Sequence, residues 1–183
     1  MDINLILIIV AVLIALFTWL TYNSLATGRV RIKEALSGID VQLKRRVDLV
    51  PNLIEAVKGY VKHERKLLEN VTKARSSLMH ANTAHEKAAS DNMLSSALKS
   101  LFAVSESYPD LKASKNFMHL QEELSDIEAK IAYARQFFNT NIGSYNSTLV
   151  NFPGSIVGGI FGFKQEEFFE TTDEQRKNVK VTF

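Results

Sequence analysis

The stretch LILIIVAVLIALFTWLTY, residues 5–22, contains eighteen residues and no charged side chain. As an α-helix it would be roughly 27 Å long, close to the hydrocarbon thickness of a bilayer, which is about 30 Å. Trp19 and Tyr22 lie at its C-terminal end, and such aromatic residues are typical of membrane interfaces. A cleaved signal peptide would need a basic start, a shorter apolar core and a small-residue cleavage site, and none of these features is clear in this sequence. The sequence therefore predicts a transmembrane anchor at residues 1–23.

Charge on the two sides of this run predicts its orientation. No Lys or Arg precedes the run, whereas residues 23–46 contain six basic and two acidic side chains. Because basic residues stay on the cytoplasmic side of a membrane, we expect a single-pass membrane protein with its N-terminus outside and its C-terminal domain in the cytosol. The same basic residues are also compatible with binding to anionic lipid.

The composition limits the function. The chain has no Cys, which excludes disulfides, thiolate metal sites and cysteine nucleophiles. Its net charge of +2 is too small to indicate a nucleic-acid partner. The residues after the anchor are enough for one domain with a real core.

Apolar residues beyond the anchor follow helical spacing, which predicts an all-α fold. In this fold one transmembrane helix leads into an antiparallel cytosolic bundle of about four long helices at 24–152. A turn near 47–51 is favoured over a kinked continuous helix, since Pro51 restricts Val50 to extended conformations. The polar stretch from His80 to Asp91 is expected to be a connection, with Ser90 or Asp91 as the next N-cap. A further break is expected at Tyr108. The clearest helix, from about 114 to 151, carries a stripe of Phe117, Leu120, Leu124, Ile127, Ile131, Ala134, Phe138, Tyr145, Leu149 and Phe152.

Residues 153–163 are predicted to form a glycine-rich apolar loop, because large apolar residues alternate there with glycine. Such a loop either caps its own bundle or contacts the membrane or a neighbouring subunit. Residues 164–183 are predicted to be a mobile charged tail. The candidate interface residues of the loop are Ile156, Ile160, Phe161 and Phe163.

The polar residues were compared with known catalytic patterns. No Glu-x-x-His pair, phosphate-binding glycine loop or nucleophile motif is present. We therefore predict no catalytic, metal or cofactor site. The densest polar signal lies at 39–64, which is either a solvated helix face with a locally fixed turn or a subunit or partner interface. Its candidate interface residues are Arg45, Arg46, Asp48, Asn52 and Glu55.

Segment 39–64 (IDVQLKRRVDLVPNLIEAVKGYVKHE) resembles the signature of the LemA family of bacterial membrane proteins. The resemblance continues, in order, through YNSL (22–25), YPDLKASKNF (108–117), LQEELSDIEAKIAYARQFFN (120–139), Tyr145-Asn146, Phe152-Pro153 and Gly162-Phe163, and covers about residues 20–170. The chain departs from the family pattern at Ala35-Leu36-Ser37, where a tryptophan is expected, and at Gly158-Gly159. The resemblance implies an outside N-terminus, one membrane helix and a cytosolic helical domain, and it carries no catalytic site.

These observations predict a non-enzymatic, membrane-anchored structural or interaction protein that self-assembles or scaffolds partners at the cytosolic face of the bacterial inner membrane. An adaptor for membrane-protein quality control or stress signalling is the alternative. The expected partners are the lipid bilayer, further copies of the chain, and a membrane protease or signalling protein.

Overall fold

The computed structural model describes residues 3–60 and 64–169, and within these ranges all regular structure is helical. The all-α prediction is therefore confirmed. The helices are α1 (Ile3–Lys58), α2 (Arg65–His80), α3 (Ala84–Ser105), α4 (Pro109–Lys112), α5 (Lys115–Val150) and α6 (Gly154–Phe161).

Helix α1 continues through Pro51, so the predicted turn at 47–51 is wrong. Proline has no backbone N–H and leaves the carbonyl four residues earlier, that of Val47, without its helical donor. The side chain of Arg75 in α2 fills this role: its Nε donates to the Val47 carbonyl oxygen at 2.9 Å. The helix tolerates Pro51 because another helix satisfies the freed carbonyl, and the turn comes instead after Lys58.

Helix α3 begins earlier than predicted. Thr83 is its N-cap and forms a capping box with Glu86, in which the Thr83 hydroxyl accepts from the Glu86 N–H at 3.1 Å. The backbone N–H groups of Asn82 and Thr83 donate to the Glu86 carboxylate, which lowers the pKa of Glu86. The N-cap prediction for Ser90 or Asp91 is wrong, since both lie inside the helix and are buried. The stretch 84–91 is polar but helical, because a capping box outweighs its low hydrophobicity.

Helix α5 closely matches the predicted helix at 114–151. Its stripe is buried at most positions, and Ile131 is among the buried members. Ile142 fills the one gap in the stripe and is fully buried, whereas Phe152 lies beyond the helix and is exposed. The break near Tyr108 is also present, with the one-turn helix α4 between α3 and α5.

The chain divides into two compact units. One contains 38–135 and Phe169, and the other contains 1–37 and 136–168. In the first, segments of α1, α2, α3 and α5 pack around an apolar core, as predicted for a bundle of about four helices. Its fully buried side chains include Ile39, Val50, Leu53, Val57, Val71, Leu94, Leu101, Leu111 and Phe117.

The C-terminal segments differ from the predicted loop and tail. Residues 154–161 form helix α6, which ends at Gly162 with a positive φ of 71°. The Tyr145 hydroxyl donates to the Lys164 carbonyl at 2.9 Å, and the side-chain amide of Asn146 exchanges two hydrogen bonds with the backbone of Glu166. Residues 164–168 are thus held by α5. The rest of the predicted tail, from residue 170, lies outside the described residues.

Candidate functional site

An ion cluster of Arg46, Asp91 and Arg135 lies inside the first unit, one residue from each of α1, α3 and α5. Arg46 Nη1 donates to Asp91 Oδ1 at 2.7 Å, and Arg135 Nη2 donates to the other carboxylate oxygen. The Arg46 and Asp91 side chains are only 3% and 2% exposed. The cluster therefore ties three helices together by charge-assisted bonds, which are stronger than neutral hydrogen bonds.

The cluster carries one carboxylate against two guanidinium groups. Glu128 lies 3.8 Å from Arg46 Nη2, but its side chain is largely exposed. Burial lowers the pKa of Arg135, and the charge of Asp91 acts in the opposite direction. The ring of Phe169 covers Arg135, with the guanidinium carbon 4.9 Å from the ring centroid. These groups provide no nucleophile, and within residues 3–60 and 64–169 no group of three or more His, Asp or Glu side chains could hold a metal ion.

The polar residues predicted as an interface separate into two sets. Arg46 is buried, which corrects its place in the predicted surface set: it turns inward because Asp91 provides its partner. The other four are exposed, at spacings of three and four along α1 that place them on one helix face. We call this set the α1 row: Arg45, Asp48, Asn52 and Glu55.

Ion pairs within α1 accompany the row. Lys44 Nζ lies 2.5 Å from Asp48, and Lys58 Nζ lies 3.4 Å from Glu55. All four side chains are more than half exposed. Such pairs contribute only about 0–1 kcal/mol, so the row's carboxylates remain available to another molecule.

A groove of about 580 Å³ lies between α1 and α2 in the unit that contains residues 38–135. Ile54 and Leu68 give it apolar walls. The charged and polar lining has three basic groups and one acidic group: Lys58, Arg65, Lys73, Glu69 and Thr72.

Helix α6, in the other unit, buries Gly154, Val157 and Gly158 but leaves its largest apolar side chains exposed. Gly154 and Gly158 are buried against the end of α5, where a Cβ at Gly158 would lie 2.3 Å from Leu149 Cδ1. The predicted interface residues Ile156, Ile160 and Phe161 are exposed, with Ile160 71% exposed. A helix packed in water shows the reverse arrangement.

Aromatic contacts connect the α6 region with the apolar end of α1. The ring centroid of Tyr22 lies 4.9 Å from that of Phe161 and 5.5 Å from that of Phe163, the last predicted interface residue. The guanidinium carbon of Arg29 lies over the Phe163 ring, 5.8 Å from its centroid. One further pair, Phe17 and Phe152, has centroids 6.4 Å apart.

Sequence reasoning missed Asp91 and Arg135 as members of a site. Asp91 lies in a polar segment and Arg135 lies one residue from the predicted α5 stripe, and neither position alone indicates burial. The capping-box sequence T-x-x-E at 83–86 does indicate the start of helix α3, because it predicts Thr83 as the N-cap and therefore places Asp91 inside the helix.

Within the described part of the chain, one helix is long and apolar enough to cross a membrane. This is α1, whose most apolar window has a mean hydropathy of 2.8 and no buried residue. With the helical fold, this defines a class of membrane-associated, all-helical proteins with one candidate span.

Sequence comparison gives the family. The LemA family model matches residues 35–183, and the chain belongs to the LemA family. Magnetosome protein MamQ of Magnetospirillum gryphiswaldense is 24% identical over 81% of this chain, and magnetosome protein MamQ 2 of Paramagnetospirillum magneticum is 23% identical over 81%. The chain covers 64% of the length of each of these two relatives. Protein LemA of Metamycoplasma hominis is 26% identical over 87% of this chain and 74% of its own length.

Proposed function

We propose that this protein is a non-enzymatic structural component of the bacterial inner membrane, anchored by α1 and assembled with further copies of itself through the α1 row. The observation that carries the proposal is the dual character of α1. Its residues from Ile3 to Phe17 are exposed and almost entirely apolar, whereas residues from Ile39 to Val57 supply core positions of a helical unit. One helix is therefore both the anchor and a structural element of the fold.

The proposed orientation places the N-terminus outside and the helical domain in the cytosol. It rests on the six basic residues that follow the apolar run and on the absence of any before it. A phosphatase or fluorescent reporter fused after Phe183 should be cytosolic in a bacterial host. Periplasmic activity of the fusion would overturn the orientation.

Self-assembly through the α1 row is supported by its mixed charge. The row presents Arg45 together with Asp48 and Glu55, so that Arg45 of one copy can face a carboxylate of another. Opposite charges across an interface favour pairing, and like charges oppose it. The row is therefore complementary to itself only while it keeps both signs.

Charge reversal tests this assembly. Arg45→Glu leaves only acidic charges in the row, and Asp48→Lys with Glu55→Lys leaves only basic charges. Each variant alone should give a smaller detergent-solubilised particle than the parent, and an equimolar mixture of the two should restore the parental size. Lys99→Glu, at an exposed position on α3, is the control and should leave the size unchanged.

Helix content measured by circular dichroism shows whether the charge-reversed variants still fold. A parent particle that is monomeric would refute self-assembly. Variants that retain the parental size would remove the α1 row from the contact.

The groove between α1 and α2 supports the adaptor function as a second candidate. Its apolar walls and excess of basic groups suit a partner segment that is apolar and acidic. A detergent pull-down should then recover one foreign protein in stoichiometric amount, and Leu68→Glu should abolish its recovery while the α1-row variants retain it. Recovery that does not depend on Leu68 would argue against the groove.

A further inference from the structure

We propose that the α6 segment, residues 152–163, inserts into the bilayer beside the membrane helix and contacts lipid acyl chains with its exposed apolar side chains. The inference rests on the proposed membrane anchor. Helix α6 has eight residues, so it is far too short to span a bilayer and would enter only one leaflet.

The distribution of residue size on α6 supports a lipid environment. Two of its three glycines, Gly154 and Gly158, lie against α5 and allow close approach, whereas Ile156, Ile160 and Phe161 are exposed. Small residues at helix contacts and large apolar residues outside are typical of helices in lipid. Phe152, just before the helix, is 76% exposed and adds to the same apolar surface.

The contact between Phe17 and Phe152 indicates how deeply the α6 segment enters the bilayer. Phe17 lies five residues before Tyr22, or about 7.5 Å farther along the helix axis. If Tyr22 marks the membrane interface, Phe17 lies within the hydrocarbon. Because the Phe152 ring is 6.4 Å from the Phe17 ring, Phe152 reaches the hydrocarbon as well.

The other end of the segment has the chemistry of a membrane interface. The Phe163 ring lies close to both Tyr22 and Arg29: its centroid is 5.5 Å from that of Tyr22 and 5.8 Å from the Arg29 guanidinium carbon. Arg29 also lies 3.9 Å from Glu166. The segment thus runs from an apolar end beside Phe17 to a charged end beside Arg29, as a segment entering from the headgroup region should.

Lipid is favoured over a second copy as the occupant of this surface. The exposed face of α6 is continuous, through Phe17 and Tyr22, with the apolar surface of α1 that the bilayer covers. Contact of α6 with lipid therefore requires no further partner.

Tryptophan quenching by brominated lipid tests the insertion in the full chain. Trp19 is the only tryptophan, so Trp19→Phe removes the native signal. In that background Phe152→Trp and Ile160→Trp report on the segment, and Phe137→Trp, at an exposed position of α5, is the control. The proteins are reconstituted at less than one copy per phosphatidylcholine vesicle, with lipids brominated along the acyl chains.

Quenching of Phe152→Trp and Ile160→Trp comparable to that of Trp19 in the parent, and several-fold stronger than that of Phe137→Trp, is the expected result. If Trp19 is quenched but the two reporters resemble the control, the insertion is overturned and the anchor stands. If Trp19 itself is not quenched, the anchor fails and the insertion fails with it. Quenching of one reporter alone would overturn insertion of the whole segment.

Discussion

One isosteric substitution in the ion cluster, Asp91→Asn, should greatly lower the free energy of unfolding. Asp91→Asn keeps the shape of the side chain but removes the charge that compensates Arg46 and Arg135, both of which are bonded to it. Removing one partner of a buried ion pair costs about 3–5 kcal/mol. Glu128 compensates little because it lies 3.8 Å from Arg46 in an exposed position. Since a domain has only about 5–15 kcal/mol of stability, we expect the loss of a large share of it.

Asp126→Asn is the matched control, because the same change is made at a carboxylate that is paired with Lys130 but is 58% exposed. Its expected cost is about 0–1 kcal/mol. The assay is chemical unfolding of the full chain in detergent, followed by circular dichroism. Equal unfolding midpoints for the two variants would refute the reasoning. Replacing Arg46, Asp91 and Arg135 together with Met, Leu and Met should recover most of the loss, because no uncompensated charge then remains.

Three further predictions concern local structure. Arg75→Met should lower the free energy of unfolding by about 1–3 kcal/mol. In a Pro51→Ala background this loss should be about 1 kcal/mol smaller, because a backbone N–H again donates to the Val47 carbonyl. A double-mutant cycle by chemical unfolding measures this coupling, and zero coupling would contradict the prediction. Thr83→Ala should cost about 0.5–2 kcal/mol in thermal unfolding through loss of the N-cap, and an unchanged transition would rule the cap out. Gly154→Ala should lower the free energy of unfolding by about 1–3 kcal/mol, since its Cβ would lie 1.8 Å from a backbone carbonyl oxygen of α5. Gly159→Ala is the control: its Cβ would have no atom within 4 Å, so the change should be neutral or slightly stabilising. Protease cleavage within 152–163 should increase only for Gly154→Ala.

The sequence predicts those parts of the fold that depend on periodicity. The apolar run of α1 and the stripe of α5 repeat a simple spacing over many residues, and a register so constrained fixes which side chains are buried. Ile131 and Phe138 are examples. The family signature is likewise a linear pattern, and it is confirmed.

The sequence does not predict features whose cause is distant along the chain. A break at Pro51 is the correct local expectation, but Arg75, on another helix, changes the outcome. Asp91 is charged and lies in a polar segment, but it is buried because Arg46 of α1 and Arg135 of α5 bond to it in the fold. Helix α6 is similar, since its glycines disfavour a helix in isolation, but two of them, Gly154 and Gly158, allow close packing on α5. In each case a tertiary contact overrides a local preference.

The α1 row and the exposed face of α6 are proposed to serve different interactions, and this changes how self-assembly is tested. The sequence attributes a share of self-contact to residues 153–163, but their contacts with the membrane end of α1 favour lipid. Under these two proposals, self-assembly depends on the α1 row and not on α6. Ile160→Ser with Phe161→Ser should weaken quenching of the Phe152→Trp reporter by brominated lipid without changing particle size, and reversal of Arg45 should do the opposite. If the serine variant instead reduces particle size, α6 joins subunits, and the assignment of lipid to this surface is wrong.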